Sequence, residues 1–296
     1  MEQSTSPDTP LVSCIIPSYN HEKYLGNCIR SLISQRYNNL ELLIIDDGST
    51  DQSRAVIEKY RSDCEARFNR FEVIYQKNKG LPATLNVALA WAHGEYFSTI
   101  ASDDVAFSDK ISNLLPYFTS EKIAAVTGGY IEINDDGKEI RKFVPPMGLW
   151  NFEDVLQKKA KIYAPTAIIK TSILRSIDGY WTDIPIEDRA MWLRLTHLGY
   201  LICSTSNVVA YYRRHSNNLS QDTIKMTEGR MRIYDRFEPH PLISRMRAKD
   251  LYGAAKDIAT SDKSLARSYL IQAILINPLS LFTSAALQGI VHSIRK

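Results

Sequence analysis

The chain has 296 residues, of which 44% are hydrophobic and 23% are charged, as is usual for globular proteins. This composition excludes a disordered chain, a collagen-like fibre and a coiled-coil rod. No apolar run reaches the roughly 18 residues that a membrane-spanning helix needs. The first ten residues are polar and contain no signal-peptide stretch, and the four cysteines form no C-x-x-C pair. We therefore expect a reducing, cytoplasmic compartment.

Charge is distributed unevenly along the chain, although the net charge is only +3. Residues 1–224 contain 24 Lys and Arg against 27 Asp and Glu, whereas residues 225–296 contain 12 against 6. A basic C-terminal quarter predicts an anionic partner. A membrane surface is favoured over nucleic acid because no nucleic-acid-binding motif accompanies the charge. Amphipathic residues 266–276 favour packing onto the catalytic domain. For residues 279–294, such packing and a helix lying on an anionic bilayer both stay open.

The N-terminal half alternates apolar runs with amphipathic helices, which predicts a parallel sheet with helical crossovers. Buried strands are predicted at residues 11–16, 40–45, 71–75 and 95–100. Helices are predicted near residues 25–33, where Asn20 is a candidate N-cap, at 52–60 and at 82–93.

The pattern changes after residue 120, where short strands and helices predict a mixed region. The predicted elements are a hairpin at 124–143, a helix at 151–161, a strand at 167–170, a helix at 187–197 and a strand at 206–212. Helices follow from residue 225. We therefore predict an α/β protein with a polar tail at 1–10, one domain at 11–220 and a helical extension at 221–296.

Polar and acidic residues cluster in the loops that follow the four predicted parallel strands. These loops contain residues 19–21 (YNH), 46–48 (DDG), 78–80 (NKG) and 102–104 (SDD). Ligands of open parallel sheets bind at the carboxyl ends of the strands, so these side chains are expected to meet at one edge. Facing carboxylates repel unless a cation lies between them, which favours Mg²⁺ or Mn²⁺ completed by a diphosphate. Asp51 is better explained as a turn or cap residue.

No glycine-rich phosphate loop of the G-x-G-x-x-G or Walker type follows any predicted strand, so phosphate would be held through a metal. Several segments in order along the chain resemble glycosyltransferase family 2. They are residues 12–20 (VSCIIPSYN), 43–51 (LIIDDGSTD), 78–80, 94–104 (GEYFSTIASDD), 185–195 (PIEDRAMWLRL), which resemble the acceptor-side Glu-Asp motif, and 212–215 (YRRH).

The resemblance spans about residues 11–220 and implies the GT-A fold. That fold is a Rossmann-like, mostly parallel sheet flanked by helices, with a nucleotide-sugar half at 11–120 and an acceptor half of mixed β structure at 121–220. The family further implies a nucleotide-diphosphate-sugar donor, a divalent metal and inversion at the anomeric carbon. The donor is expected to be a UDP-sugar, and the acceptor a glycan or polyprenyl-linked saccharide, as in bacterial surface polysaccharide assembly.

Roles carried over from the family fall on particular residues of this sequence. The catalytic base comes from the Glu187-Asp188 pair, with Asp188 favoured. The pair begins a predicted helix, whose N–H groups are expected to keep a carboxylate ionised. The metal ligands are Asp104, Asp103 and His215. The residues assigned to the nucleotide are Pro17, Tyr19, Asn20, Asp46, Asp47, Lys79, Gly80, Ser102 and Asp103.

Structural explanations stand beside several of these roles. Lys79 is better explained as a solvated loop lysine, and His215 is equally explained as a packing residue. For the Glu187-Asp188 pair, a helix cap is the less favoured alternative to the catalytic role. Ala101 stands where the family's D-x-D motif usually has an acid, and this departure keeps a non-catalytic, nucleotide-sugar-binding subunit open. A sugar nucleotidyltransferase is disfavoured because no glycine-rich, basic loop follows the first strand.

Overall fold

The computed structural model describes residues 9–215 and 222–278. These residues form two compact units. The first comprises the described residues up to Thr182 together with Glu187–His215, and the second comprises Asp183–Ile186 together with the described residues from 222 onward. The predicted boundary at 220/221 lies outside the described residues. Across the two described ranges, no helix is both long enough and apolar enough to cross a bilayer.

The first unit is built on one ten-stranded sheet. Its strands are β1 (Val12–Ser18), β2 (Leu40–Asp46), β3 (Arg70–Tyr75), β4 (Tyr96–Thr99), β5 (Val105–Ala106), β6 (Ile123–Ile133), β7 (Glu139–Phe143), β8 (Gly148–Trp150), β9 (Ile168–Lys170) and β10 (Leu201–Arg213). Its helices are α1 (Glu22–Ile33), α2 (Ser53–Lys59), α3 (Arg61–Arg67), α4 (Leu81–Trp91), α5 (Lys110–Leu114), α6 (Phe152–Leu156), α7 (Thr171–Ser176) and α8 (Glu187–His197). The second unit contains α9 (Thr223–Asp235), α10 (Ile243–Ile258) and α11 (Lys263–Ile276).

The sheet has a parallel half and a mixed half. The strand order is β3-β2-β1-β4-β9-β6-β10-β5, with β7 on β6 and β8 on β10. Strands β3, β2, β1 and β4 are parallel neighbours. Strand β9 is antiparallel to both β4 and β6, and β6 is parallel to β10. The predicted parallel first half and mixed second half are confirmed, and the carboxyl ends of β1, β2 and β4 lie at one edge.

Continuous apolar runs explain why the central strands are buried on both faces. Nearly all of β1 and all of β2 are buried, as expected for strands covered by helices on each side of a parallel sheet. Helix α1 contributes one apolar stripe to this core through Leu25, Cys28, Ile29 and Leu32. All four cysteines are buried free thiols, in agreement with the absence of a predicted disulfide framework.

Several predicted elements are confirmed and others need correction. The helix at 187–197 is α8, and the hairpin at 124–143 is β6 and β7. The helix predicted at 151–161 ends at Leu156, because Lys158 adopts a left-handed φ of 61° that stops it. The strand predicted from 206 begins at Leu201. Helices α3, α5 and α7 and the short strands β5 and β8 were not predicted from the sequence.

The loops after β1 and β2 hold each other through side chains. Asn20 does not cap α1 as predicted: its φ is 53° and its Oδ1 accepts a hydrogen bond from the N–H of Thr50 at 2.8 Å. The predicted turn or cap role of Asp51 is confirmed. Its Oδ1 accepts from the N–H of Ser53 and its Oδ2 from the N–H of Glu22, both at 2.9 Å. The two helix starts are therefore fixed relative to each other.

The second unit has its own apolar core between α10 and α11. The amphipathic stretch 266–276 lies in α11 and buries Ala266, Tyr269, Leu270 and Ala273 in that core. This stretch packs against α10 within its own unit, whereas the predicted packing onto the catalytic domain stays a prediction. The second stretch, 279–294, lies outside the described residues, so membrane contact through 225–296 stays a prediction.

Candidate active site

Three loops of the first unit bring two histidines to one aspartate. His215 Nε2 lies 2.9 Å from Asp103 Oδ2, and His21 Nδ1 lies 4.0 Å from Asp103 Oδ1. One ligand atom from each of the three residues lies within 4.8 Å of the other two. Ser102 Oγ is 2.7 Å from His21 Nδ1. We call His21, Asp103 and His215 the His-Asp-His cluster.

The sheet explains why residues so far apart in sequence meet here. His21 follows β1 and Asp103 follows β4, and these strands are parallel neighbours whose carboxyl ends lie together. His215 follows β10, which is tied to the β4 loop by a backbone contact. The N–H of Arg213 donates to Asp104 Oδ1 at 2.8 Å, and Arg213 Nε donates to the carbonyl of Asp103 at 3.0 Å. Asp104 therefore positions the segment that carries His215.

Aromatic contacts hold the ring of His215 in place. Tyr24 stacks on it with ring centroids 5.5 Å apart, and His21 meets it edge-on at 5.7 Å. The Tyr24 hydroxyl donates to Asp135 in the β6–β7 turn, and the Arg213 guanidinium lies over the Tyr24 ring. The cluster is therefore surrounded by contacts that limit ring rotation.

The two acids of the predicted metal site have different environments. Asp103 belongs to the His-Asp-His cluster, whereas Asp104 does not. Asp104 is only 1% exposed, and its Oδ2 has no hydrogen-bond partner among the residues that the structure describes. Burial, and then the charge of Asp103, raise the pKa of Asp104 well above its usual value. Of the three predicted ligands, the structure brings Asp103 and His215 together and turns Asp104 toward Arg213.

The donor atoms of the cluster fit a divalent cation. A carboxylate and two imidazoles are common ligands of first-row divalent metals. Burial lowers the pKa of His21, which favours the neutral ring that a metal requires. His21 was not among the ligands predicted from the sequence. It was visible there only as a member of the 19–21 loop, because its approach to Asp103 depends on the pairing of β1 with β4.

The two acids at the end of β2, Asp46 and Asp47, accept hydrogen bonds from backbone N–H groups of nearby loops. Asp46 is fully buried; its Oδ1 accepts from the N–H of Ser49 at 3.0 Å, and its Oδ2 has no hydrogen-bond partner in the described part of the chain. Asp47 Oδ1 accepts from the N–H of Lys79 and Asp47 Oδ2 from the N–H of Gly80, both at 2.9 Å. Asp47 thus fixes the loop that precedes α4.

The remaining predicted nucleotide residues lie on the same edge of the sheet. Pro17 pairs with Ile45 at the carboxyl end of β1, and Tyr19 is exposed in the following loop. Gly80 has a φ of 82° and precedes α4, a conformation that favours glycine. The side chain of Lys79 is exposed. Ser102 is buried against His21, so only some of these side chains are open to a ligand.

The Glu187-Asp188 pair forms the first turn of α8. Burial and the charge of Asp188 raise the pKa of Glu187 to about 8, and burial also raises the pKa of Asp188. The helix N-terminus was expected to keep a carboxylate of this pair ionised. At Glu187 the loss of hydration outweighs the helix dipole, and at Asp188 burial acts against it. The N–H of Arg189 donates to Asp188 Oδ1 at 2.6 Å and opposes the shift at Asp188.

A pair of hydrogen bonds anchors the segment that leads to these acids. Asn86 of α4 accepts from the N–H of Tyr180 at 2.7 Å and donates to its carbonyl at 2.8 Å. Gly179, with a φ of 63°, allows this approach, because a Cβ there would meet Asn86 Oδ1 at 2.3 Å. The backbone at Tyr180 is therefore fixed to α4.

Comparison with known proteins places this site in a family. Residues 13–176 match the family described as "Glycosyl transferase family 2". The chain is 31% identical over 218 residues to WfaP of Escherichia coli, named "UDP-Glc:alpha-D-GlcNAc-diphosphoundecaprenol beta-1,3-glucosyltransferase"; the match covers 73% of this chain and 82% of WfaP. The chain therefore belongs to glycosyltransferase family 2.

Two solved structures share the fold. The mannosyltransferase PcManGT from Pyrobaculum calidifontis, in complex with GDP-Man and Mn²⁺, is 17% identical with a TM-score of 0.64, and the match covers 99% of this chain and 90% of PcManGT. TarS 1–349 of S. aureus, in complex with UDP-GlcNAc, is 18% identical with a TM-score of 0.62, covering 96% and 89%. Both are GT-A glycosyltransferases, so the predicted GT-A fold is confirmed.

Proposed function

We propose that the protein is an inverting, metal-dependent glycosyltransferase that moves a sugar from a UDP-sugar to a hydroxyl of a polyprenyl-linked saccharide in bacterial surface polysaccharide assembly. Family membership supports the transferase activity. The main observation in support of a donor-binding site is the His-Asp-His cluster. It lies at the carboxyl edge of the parallel strands, beside the loop of Asp46 and Asp47. Nucleotides bind at this edge in open α/β sheets.

The chain's own residues divide the work of the reaction. Asp46 and the loops after β1 and β2 would hold the nucleoside, and His21, Asp103 and His215 would hold Mn²⁺ or Mg²⁺. A bound divalent ion supplies charge neutralisation for the departing diphosphate. Asp188 would accept the proton of the acceptor hydroxyl while that oxygen attacks the anomeric carbon from the face opposite the leaving group. A single displacement of this kind inverts the configuration.

The names of the relatives support the choice of substrates. WfaP is named for transfer from UDP-Glc to a GlcNAc-diphosphoundecaprenol, and the TarS structure contains UDP-GlcNAc. The PcManGT structure contains GDP-Man, a guanine nucleotide, so the identity of the nucleobase in the donor has to be tested. A lipid-linked acceptor would be located at a membrane surface, so the enzyme would have to act there. The basic region 225–296 is the proposed peripheral contact with the cytoplasmic side of that membrane.

The test begins with calorimetric titration of UDP, GDP and dTDP, each with and without Mn²⁺. Transfer is then measured from radiolabelled UDP-glucose and UDP-GlcNAc to undecaprenyl-diphosphate-linked GlcNAc, with product linkage assigned by NMR. Metal-dependent binding of UDP together with a β-linked product from an α-linked donor would support the proposal. Binding without transfer to any acceptor would instead indicate the non-catalytic subunit, and retention of configuration would contradict inversion.

The rate of transfer is expected to depend on the ionisation of the buried acid pair. A base works only when it has lost its proton, and burial raises the pKa of Asp188 above the ordinary value of about 4. The acid limb of kcat/KM should therefore lie above pH 4 and reflect one proton, because Glu187, whose pKa is raised to about 8, stays protonated near neutrality. A profile from pH 3 to 7 checks this, and an acid limb at or below pH 4 would contradict it.

A further inference from the structure

We propose that residues 138–149 of the first unit bind the surface of an anionic bilayer. They comprise β7 and the segment that continues into β8, and we call them the β7–β8 surface. The inference deepens the proposed function and rests on it, because a lipid-linked acceptor would be located in such a bilayer. It assigns a membrane contact to the first unit, separate from the one proposed for residues 225–296.

The β7–β8 surface concentrates exposed apolar side chains. Ile140, Val144, Met147 and Leu149 are between 48% and 68% exposed. No other ten-residue stretch of the described ranges holds more than two large apolar side chains that are exposed. Exposed apolar side chains that are concentrated in this way mark a surface that binds a protein or a membrane, whereas isolated ones are ordinary.

The backbone under these side chains is held in place. The Phe143 ring stacks on Tyr130 with centroids 4.8 Å apart, and Pro145 is buried. Trp150 Nε1 donates to Ser204 Oγ at 2.7 Å, at the end of the segment. Buried anchors therefore lie at both ends of residues 143–150, and the apolar side chains between them are exposed on a fixed backbone.

Basic residues accompany the apolar ones and indicate which partner fits. Residues 138–161 contain six Lys and Arg against three Asp and Glu, although residues 1–224 as a whole contain 24 against 27. Arg141 is paired with Glu132 at 3.1 Å, so Lys138 and Lys142 supply most of the attraction for an anionic partner within the β7–β8 surface. Apolar side chains flanked by lysines are the combination that binds at the interface of an anionic bilayer.

A second copy of this chain fits the same surface less well. A two-fold interface brings the same patch of both subunits together. Lys138 and Lys142 of one subunit would then approach those of the other, and like charges that meet at an interface oppose association. The anionic bilayer is therefore the favoured partner.

The β7–β8 surface begins close to the candidate active site. Glu139 pairs with Ile133 of β6, which in turn pairs with Arg213, two residues before His215. Val144 follows Glu139 by five residues, which is roughly 17 Å along an extended strand. Contact with a bilayer through this surface would therefore bring the acceptor half of the first unit close to lipid headgroups.

Binding of the full chain is measured by flotation with two kinds of vesicle, phosphatidylcholine alone and an equimolar mixture of phosphatidylcholine and phosphatidylglycerol. The wild type should bind the anionic vesicles at least about tenfold more tightly than the neutral ones. The apolar variant V144S/M147S/L149S should weaken binding to anionic vesicles by about tenfold or more. K138Q/K142Q should weaken it to a similar extent and reduce the difference between the two kinds of vesicle.

The matched control is L198S. Leu198 is 59% exposed and follows α8 in the same unit, outside the β7–β8 surface, so L198S should bind vesicles like the wild type. A second control, I271S/L275S, removes two exposed apolar side chains from α11. Loss of vesicle binding in I271S/L275S with none in the apolar variant would assign the contact to residues 225–296 and overturn the inference.

A fluorescent label tests the contact if the apolar variant does not fold. The four native cysteines are buried, so an environment-sensitive dye can be attached selectively to M147C. Its emission should rise with anionic vesicles and be quenched by brominated lipid, whereas the same dye on L198C should not respond. A silent label at position 147 on vesicle-bound protein would overturn the inference.

Sedimentation velocity without lipid tests the alternative partner. A dimer of the wild type that the apolar variant abolishes, together with vesicle binding unchanged in that variant, would assign the surface to a second copy and overturn the inference.

Vesicle binding is measured without nucleotide or acceptor, so it is separate from the proposed function. A wild type that binds anionic vesicles through this surface but transfers no sugar would refute the proposed function alone. Transfer to an undecaprenyl-linked acceptor in vesicles that is equally fast in the wild type and the apolar variant would support the proposed function and overturn the inference.

Discussion

Replacing Asp188 with asparagine is expected to lower kcat for sugar transfer by about 10²–10⁴-fold while leaving the dissociation constant of UDP unchanged. A positioned general base contributes an effect of this size, and asparagine keeps the shape of the side chain but cannot accept the proton. The Oδ1 of asparagine can still accept the N–H of Arg189, which lies 2.6 Å from the carboxylate, so α8 should stay intact. Single-turnover kinetics with radiolabelled donor measure the chemical step directly.

Glu187→Gln is the matched control for this prediction. Near neutral pH the raised pKa of Glu187 favours its protonated form, which glutamine imitates in shape and charge. We therefore expect E187Q to retain kcat within about tenfold, since a residue that is not the base loses little. The opposite outcome, with E187Q inactive and D188N active, would assign the base to Glu187. Loss of UDP binding in D188N would instead give this residue a place in the donor site.

The parallel half of the fold was predictable because its signal is local. Strands β1 and β2 are uninterrupted apolar runs, and the acid-rich loops follow them directly, so both the sheet and its polar edge follow from hydrophobic pattern and topology. The short strands β5 and β8 have two and three residues, too few for any periodicity to stand out. Both strands form by pairing with β10, which is distant in sequence, so they depend on tertiary contacts that a local pattern does not contain.

The candidate site was predictable in its location but not in its contacts. Arg213 and Asp104 are 109 residues apart, yet one backbone hydrogen bond between them determines which acid faces the histidines. The same limit applies to His21, whose meeting with Asp103 spans β1 and β4. At Glu187, the helix start was correctly predicted, but the direction of the pKa shift depends on burial that the sequence did not reveal.

The structure separates the two acids of the Asp103-Asp104 pair into a ligand and a positioning residue, and their asparagine variants should therefore differ. D103N removes the charged member of the His-Asp-His cluster and should weaken Mn²⁺ binding by about 100-fold, the upper range for changes near a metal. Because D103N would bind Mn²⁺ so weakly, its affinity for UDP should no longer depend on Mn²⁺. EPR for Mn²⁺ and calorimetry for UDP give the two constants.

D104N should instead change Mn²⁺ affinity by about threefold at most, well below the effect of losing a ligand. The Oδ1 of asparagine still accepts the N–H of Arg213, and the new amide group replaces an oxygen that has no hydrogen-bond partner among the described residues. D104A removes that acceptor and leaves a buried N–H unpaired, which should cost about 1–3 kcal/mol of stability and loosen the segment that carries His215. Thermal unfolding distinguishes the two variants. If D104N abolished Mn²⁺ binding as completely as D103N with an unchanged melting temperature, Asp104 would be a metal ligand, as the sequence predicted.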